Sequence, residues 1–465
     1  MPHLFVANQL CSLLFLVKEQ AKASQKTNFM NFKHTGCMLL GLLLGWGASL
    51  AQAVLPLNEA IALALQKNFD VQLAQNDAEI AQLQNNWGNA GRLPTVNATG
   101  GYNYSRNNLD QRLVNGTNIK RNGASFENQN LGVQGQWRVF NGFRVVAAKA
   151  RLEAVERIGQ TNIKAQANQV VYNVVQTYLN ILRFQAQKAA TEEGMLLVEE
   201  RMKLADNRFK IGTAAKSDYL QALVDYNQAK NTLIAIQNAI AQSKTQLNNL
   251  LARGADDAFL TSDSVSSTQL PPRSTLLLAI DTLNPALLMA KEQMVVLAQQ
   301  AREINAQRLP TVTLNLGAGL NNSLNSAGFT LRNTTYGPNT GIGLAIPIYQ
   351  GGVVKQQLKV NQVLQKSQQV QFDAIKNNLQ TALANAYNSF DFAKDQFNLE
   401  EENLKAVKEN TAIAMERFRK GTITTVELRQ TQFNLIESQT RRINALYQMK
   451  QSEADVLLIL GKLVE

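Results

Sequence analysis

The chain has 465 residues, of which 45% are hydrophobic and 17% are charged, and its formal net charge is +11. This length allows two or three ordinary domains. The mean hydropathy of −0.19 excludes a polytopic helical membrane protein, which needs several apolar runs of about 20 residues. No basic run is interleaved with aromatic residues in the manner of nucleic-acid-binding proteins.

Residues 1–53 have the features of an export signal. A short basic segment at residues 30–34 precedes the apolar run MLLGLLLGW, and Ala51 and Ala53 place small residues three before and one before a cleavage point. A transmembrane anchor is the alternative, but this apolar run is short for one. We expect cleavage after Ala53, with residues 1–29 preceding the true start or extending the signal.

Cysteine and histidine occur only in this first segment, as Cys11, Cys37, His3 and His34. If the segment is removed, the remaining chain cannot form disulfides or use thiol or histidine chemistry, and most zinc sites are excluded. The sequence therefore predicts no catalytic residue, no metal site and no cofactor.

The rest of the chain contains one structural unit twice, which we place at residues 54–270 and 271–465. The motifs RLPTV and RF-x-x-G-T occur in both units, at residues 92–96 and 308–312 and at residues 208–213 and 417–422. Asn68 and Asn284 are separated by the same offset as the RLPTV motifs. The unit of about 210 residues is far too long for a solenoid repeat, so a duplication is indicated.

Each unit opens with a helical segment, roughly 57–91 and 274–307, followed by two strands. The predicted strands are at about 95–105 and 128–139 in the first unit and at about 311–320 and 340–349 in the second. Apolar and polar residues alternate within them, and each has the 9–11 residues or so that cross a bilayer as a tilted strand. Soluble hairpins with one wet face are the alternative, but the export signal favours membrane strands.

Pro94 and Pro310 stand at the entry from helix to strand in the two units. Proline fixes the chain direction there, and at the first residues of a strand it removes no needed hydrogen-bond donor. We therefore assign both prolines a structural role.

A long helical hairpin ends each unit, at residues 142–253 and 352–461. Residues 353–420 contain no Gly and no Pro, which predicts a helix of roughly 100 Å at 1.5 Å rise per residue. Both long helices end at a Gly-Thr pair, where glycine can adopt the left-handed conformation that terminates a helix.

Four membrane strands cannot close a barrel, and an open sheet edge in lipid leaves backbone groups unsatisfied. The strands of several chains must therefore combine, and closure alone permits a dimer, a trimer or a tetramer. Because strands and helices would share one axis, the expected product is a continuous conduit.

The export signal, the twice-repeated order of elements, the RLPTV entries and the paired RF-x-x-G-T turns together resemble the TolC-like outer membrane efflux family. The resemblance covers essentially all of residues 54–465. It implies an α+β membrane protein, a homotrimer whose 12-strand outer membrane β-barrel continues into a 12-helix periplasmic α-barrel. It also implies a channel and not an enzyme. Such channels dock a periplasmic adaptor and an inner-membrane transporter, and they pass small molecules or secreted proteins to the exterior of a bacterial cell.

The resemblance places a periplasmic gate close after the Gly-Thr turns. The family has acidic rings there. Asp218 and Glu427 match these positions, while Gln430 stands where well-known members have a second acid. This implies a mild cation filter of three Glu427 side chains per trimer. The alternative is that both acids only favour the positive end of a helix dipole. Phe418 and Ile423 replace the Tyr and Arg by which some relatives latch the tip.

The two turns are also the expected contact with an adaptor, because their backbone is the most exposed. The docking residues are Ile211, Gly212, Thr213, Lys420, Gly421 and Thr422. The cationic side chains around the turns need no such explanation, since lysine and arginine are common at exposed helix ends.

Two structural proteins and an enzyme are the competing interpretations. A trimeric periplasmic or adhesin-like coiled coil with a small barrel anchor usually has a single stalk at the chain end, whereas here the strands lie inside two equal units. A periplasmic adaptor has one hairpin flanked by small β domains. An enzyme lacks support because no glycine-rich phosphate loop or paired acids in a pocket-like context occur.

Overall fold

The computed structural model describes residues 53–262 and 270–464, except for the side chain of Ala53. The predicted export signal therefore lies outside the described residues, apart from Ala53. Within the described residues, the two repeated units pack together as one compact body, Val54–Glu465.

The order of elements is the same in both units: two helices, two strands, a very long helix and a shorter helix. The described elements in chain order are β1 (Ala53–Val54), α1 (Leu57–Lys67), α2 (Phe69–Gln84), β2 (Thr95–Arg112), β3 (Asn118–Asn141), α3 (Arg144–Lys210), α4 (Lys216–Leu250), β4 (Phe259–Leu260), α5 (Arg273–Leu283), α6 (Pro285–Ala306), β5 (Thr311–Asn325), β6 (Arg332–Ala345), α7 (Val353–Arg419) and α8 (Thr425–Leu460).

Asn68 and Asn284 break the opening helical segment of each unit into two helices, where one helical segment was expected. Each asparagine is buried in an extended conformation between two helices. Its side-chain oxygen accepts a hydrogen bond from the backbone of the second helix, as preferred N-cap residues do. The amide group of Asn68 also donates to the carbonyl of Leu250 at 2.9 Å. That of Asn284 donates to the carbonyl of Ile459 at 2.8 Å. The two asparagines therefore tie the short helices to the ends of α4 and α8.

The four long strands form one antiparallel sheet in the order β2-β3-β5-β6. Pro94 and Pro310 directly precede β2 and β5. Large apolar side chains such as Val96, Val133 and Ile342 are exposed on the sheet. Within the described part of the chain, the outer edges of β2 and β6 pair with no strand. The sheet thus has two open edges and exposed apolar side chains.

The strands differ in length from those expected. Strands β2 and β3 have 18 and 24 residues and are joined by a tight turn at residues 113–117. Residues 106–127, between the two predicted strands, are therefore mostly strand. Strands β5 and β6 likewise reach Asn325 and Arg332. Polar residues continue the backbone ladder without apolar alternation, and the sequence pattern therefore missed them. The expected strand end at 349 is wrong, because β6 ends at Ala345, two residues before Pro347, which lacks the N–H that pairing requires.

Helices α3 and α7 have 67 residues each, about 100 Å at 1.5 Å per residue. Each folds back on the following helix, and α3 also packs against α8, so the side-by-side order is α4-α3-α8-α7. No helix among residues 53–262 and 270–464 is both long enough and apolar enough to cross a membrane.

The short elements form a layer on one face of the long helices. A buried cluster joins Leu55, Phe259 and α1 to Tyr178 and Tyr447 on α3 and α8. A second cluster joins α5 and α6 to α7 and to the end of α8. The opposite face of this four-helix row does not contribute to these clusters.

Candidate functional site at the helical turns

The two Gly-Thr turns have the same hydrogen-bonded geometry. Gly212 and Gly421 have φ of 78° and 77°, the left-handed conformation expected at a helix C-terminus. The following threonine closes each turn. Its backbone N–H donates to the carbonyl five residues before it, at 2.9 Å for both Thr213 and Thr422. The threonine hydroxyls donate to the same carbonyls at 3.2 and 3.0 Å.

The expected docking residues are exposed at these turns. Ile211 is 73% exposed although it is aliphatic. The side chains or backbone of the other expected docking residues are also exposed: Gly212, Thr213, Lys420, Gly421 and Thr422. The turns therefore offer an accessible surface that includes an apolar side chain.

Asp218 and Glu427 occupy the third position of α4 and α8, respectively. Asp218 is half-buried and Glu427 is exposed. The backbone N–H of Glu427 donates to the hydroxyl of Thr424 at 3.2 Å, which is one of the two bonds of a capping box. Gln430 is exposed and donates to Asn434 at 2.9 Å on the same face of α8. Both acids thus lie in the first turn of a helix, where a negative charge suits the helix dipole, and both charges are accessible to solvent.

Phe418 and Ile423 form an apolar contact at the second turn. Phe418 is fully buried, and both residues pack with Ala414, Met415 and Leu428. These side chains provide no polar latch.

A polar contact between the two hairpins occurs instead through Arg208 of α3. Its guanidinium lies 4.4 Å from the centre of the Phe418 ring, within cation–π range. Its Nη2 donates to the backbone carbonyl of Phe418, at the end of α7. Arg419 adds a second contact by donating through Nε to Glu200 of α3 at 2.9 Å. The two turns are therefore held together within one chain.

A three-residue ion network lies beside these contacts. Nη2 of Arg201 on α3 lies 2.6 Å from Oδ2 of Asp225 on α4, and Nε of Arg429 on α8 lies 3.0 Å from the same oxygen. Burial lowers the pKa of Arg201, although the adjacent Asp225 opposes this shift. Asp225 also accepts from Gln221 at 3.0 Å. One carboxylate thus connects three helices.

Sequence reasoning did not find the contacts that Arg201, Arg208 and Arg429 make with other helices. The two arginines that pair with Asp225 lie on other helices, α3 and α8. The available signal was the concentration of arginines near both turns, which was interpreted as ordinary surface charge. The site as a whole can hold two helical turns together and present acids nearby.

The comparison with known families is decisive for the identity of this fold. The model of a family described as outer membrane efflux protein matches residues 60–253 and again residues 279–462. The chain belongs to the outer membrane efflux protein family. The resemblance inferred from the sequence is confirmed.

Individual relatives cover most of this family member. The outer membrane protein TolC of Escherichia coli (strain K12) is 21% identical over 438 residues, which are 92% of this chain and 86% of that protein. The outer membrane efflux protein BepC of Brucella suis biovar 1 (strain 1330) is 20% identical over 367 residues, 78% of this chain and 76% of that protein. The Campylobacter jejuni CmeC outer membrane channel superposes with a TM-score of 0.75 at 17% identity, covering 87% and 85% of the two chains.

These similarities establish the outer membrane channel fold and the location of the protein. This family member resides in the outer membrane and extends into the periplasm. Its relatives are channels and not enzymes. The structural coiled-coil alternative is not favoured.

Proposed function

We propose that three copies of this chain form the outer membrane channel of a tripartite export system. The observation that carries the proposal is the four-stranded sheet with its two open edges, which lipid would leave with unsatisfied backbone groups. Pairing β2 of one copy with β6 of the next removes both edges. Three copies would give a closed barrel of 12 strands, as the family resemblance implies.

The row of long helices supports the same assembly. Helices α4 and α7 are the outer members of the row, so each lacks a long-helix neighbour on one side within the described chain. Packing α4 of one copy against α7 of the next would continue the row into a 12-helix wall. The layer of short helices would lie outside this wall. The face of the four-helix row opposite that layer would line the conduit.

The partners in this proposal are a periplasmic adaptor and an inner-membrane transporter. The turns at residues 211–213 and 420–422 are the proposed adaptor contact, because they combine exposed backbone with the exposed Ile211 side chain. Cargo would be small molecules or secreted proteins moving outward, with energy supplied by the transporter.

Cysteine cross-linking tests the docking surface, since Cys11 and Cys37 are the two cysteines of the chain. In a background that lacks both, Thr422→Cys is expected to cross-link to an adaptor during export. Ser367→Cys, far from the turns on α7, serves as the control. Equal cross-linking at both positions would contradict docking through the turns.

The proposed gate is the region of the turns, with Asp218, Glu427 and Gln430 facing the passage. The Arg208, Arg419 and Asp225 contacts support a closed tip, because they connect the two hairpins of one chain. Opening would then require these contacts to separate or to move together.

Conductance across a planar lipid bilayer tests the proposed channel. Purified protein is expected to insert and to give discrete, ohmic current steps. Folded protein that inserts without conducting would contradict the channel and would favour a structural coiled coil with a barrel anchor.

A further inference from the structure

A line of polar contacts joins α3 to α8 on the face opposite the short-helix layer. Asn180 accepts from Gln451 at 3.4 Å, and Gln187 donates to Asn444 at 2.9 Å. Arg183 lies between these two residues of α3 on the same side of the helix. Asn180 and Gln187, which flank Arg183 on this side of α3, therefore each have a partner on α8.

Among the described residues, Arg183 itself has no carboxylate that pairs with it. It is half-buried, its Nε is fully buried, and that atom makes no hydrogen bond within the described chain. The contact that it does make is with the ring of Phe184, 4.8 Å from the guanidinium carbon. Burial lowers the pKa of Arg183, as expected for a cation with no adjacent anion. A half-buried guanidinium is usually accompanied by an acceptor, and Arg183 therefore lacks the anion that would compensate its charge.

A groove of about 430 Å³ lies beside Arg183, between α3, α7 and α8. This volume is within the range of small-molecule sites. Its lining includes Arg183, Phe392, Gln396, Glu400, Arg441 and Gln448. The residues of α8 that line the groove differ from Ile443 and Tyr447, which face the short-helix layer. The groove is therefore on the opposite face of the row.

The charged side chains that line this groove are Arg183, Arg441 and Glu400. Glu400 is occupied by Arg441, whose Nε donates to it at 2.6 Å, and by Asn403 and Ser438. Burial alone would raise the pKa of Glu400, but these hydrogen bonds hold it below its usual value. Glu400 is thus ionised and already paired. Arg441 also binds Glu437 at 3.0 Å, so both of these carboxylates are occupied by Arg441 and neither is a partner of Arg183.

We propose that this groove binds a small organic monocarboxylate that carries an aromatic ring. The carboxylate accepts from the Arg183 guanidinium in the paired geometry that arginine favours. The ring lies against Phe392, which is 61% exposed, and the amides of Gln396 and Gln448 border the site. The bound carboxylate supplies the anionic partner that Arg183 lacks within the described chain.

Binding of an aromatic carboxylate is inferred from the groove alone. A role of this binding in export rests on the proposed function. If the opposite face of the row lines the conduit, the groove is a resting site for aromatic carboxylates on their way outward. Anionic cargo would then be retained in the wall between the tip and the membrane.

Equilibrium dialysis of radiolabelled benzoate against the detergent-solubilised full-length protein tests the site. We expect saturable binding of one benzoate per chain and no saturable binding of benzyl alcohol, which lacks the charge. Arg183→Gln is expected to weaken benzoate binding roughly tenfold or more, and Arg183→Lys to weaken it less. Arg302→Gln on α6, outside the groove, is the matched control and should bind as the unmodified protein does.

Unaltered benzoate binding by a folded Arg183→Gln variant, or no saturable binding by the unmodified protein, would overturn the site. Bilayer conductance of the same preparations separates this result from the proposed function. Protein that conducts without binding benzoate refutes the site alone, and protein that binds benzoate without conducting refutes the channel alone.

Discussion

Arg201 and Asp225 form a nearly buried ion pair that connects the two helices of the first hairpin. Nη2 of Arg201 lies 2.6 Å from Oδ2 of Asp225, and the two side chains are 1% and 14% exposed. The other two nitrogens of this guanidinium, Nε and Nη1, have no hydrogen-bond partner among the described residues. Asp225 is therefore the main compensation for this buried charge, and Arg429 connects the pair to the second hairpin.

Removing the charge of Asp225 should loosen the tip. Losing one partner of a buried pair costs about 3 kcal/mol because the remaining charge is uncompensated. In Asp225→Asn, amide hydrogen exchange in residues 196–230 is expected to accelerate roughly a hundredfold. Lys203→Met removes an exposed pair with Glu199 on the same helix and serves as the control. Equal exchange in both variants would contradict a structural role for the Asp225 network.

Losing the Arg208 contact should favour an open tip. Arg208→Gln removes a charge-assisted bond and a cation–π contact to Phe418. A loss of about 1.5 kcal/mol corresponds to roughly a tenfold rise in the open population, which single-channel recording reports as higher mean conductance. Lys210→Gln is the control, since the ion pair of Lys210 in the described chain is with Asp206 on its own helix. Unchanged conductance in Arg208→Gln would exclude this contact from gating.

Substitution can distinguish the effect of the Glu427 charge on ions from the role of this residue at the start of α8. Glu427→Gln keeps a residue that suits a capping box and removes the charge. A unit charge about 10 Å from an ion in water contributes about 0.4 kcal/mol, so cation preference should fall roughly twofold. Reversal potentials in a salt gradient measure this preference, with Glu79→Gln on α2 as the control. If Glu427→Ala also leaves conductance and cation preference unchanged, Glu427 is only a helix-capping residue.

High pH should weaken the contact between α3 and α8 at Tyr172. Its hydroxyl donates to Asp455 at 2.6 Å, and burial followed by this hydrogen bond raises its pKa from 10.0 to about 12. The folded state thus favours the neutral phenol. Its contribution to stability is complete below pH 10 and is lost as the pH rises through about 12. The tyrosinate absorbance that Tyr172→Phe removes should titrate near 12, and titration near 10 would contradict the contact.

The sequence predicted the elements whose signals are local. The Gly-Thr pairs ended both long helices because left-handed glycine is required there, and Pro94 and Pro310 preceded strands because their rings restrict the backbone. The breaks at Asn68 and Asn284 were missed although their signal is also local, because asparagine is a preferred N-cap residue and Pro285 suits the first position of α6.

Contacts between distant residues were not predictable from local patterns. Arg201 and Asp225 lie 24 residues apart, and Arg208 and Phe418 lie 210 apart, so their meeting depends on how α3, α4, α7 and α8 pack. The extra length of β2 and β3 was also missed, because backbone pairing carried the strands through polar residues that show no apolar alternation.

The native mass of the mature protein, extracted from outer membranes in mild detergent, tests the central claim most directly. Three copies per particle are predicted, because three sheets of four strands close the open edges of β2 and β6 into one barrel. A monomer, or recovery as a protein free in the periplasm, would contradict the account, since the sheet edges would then remain unpaired and outside the membrane.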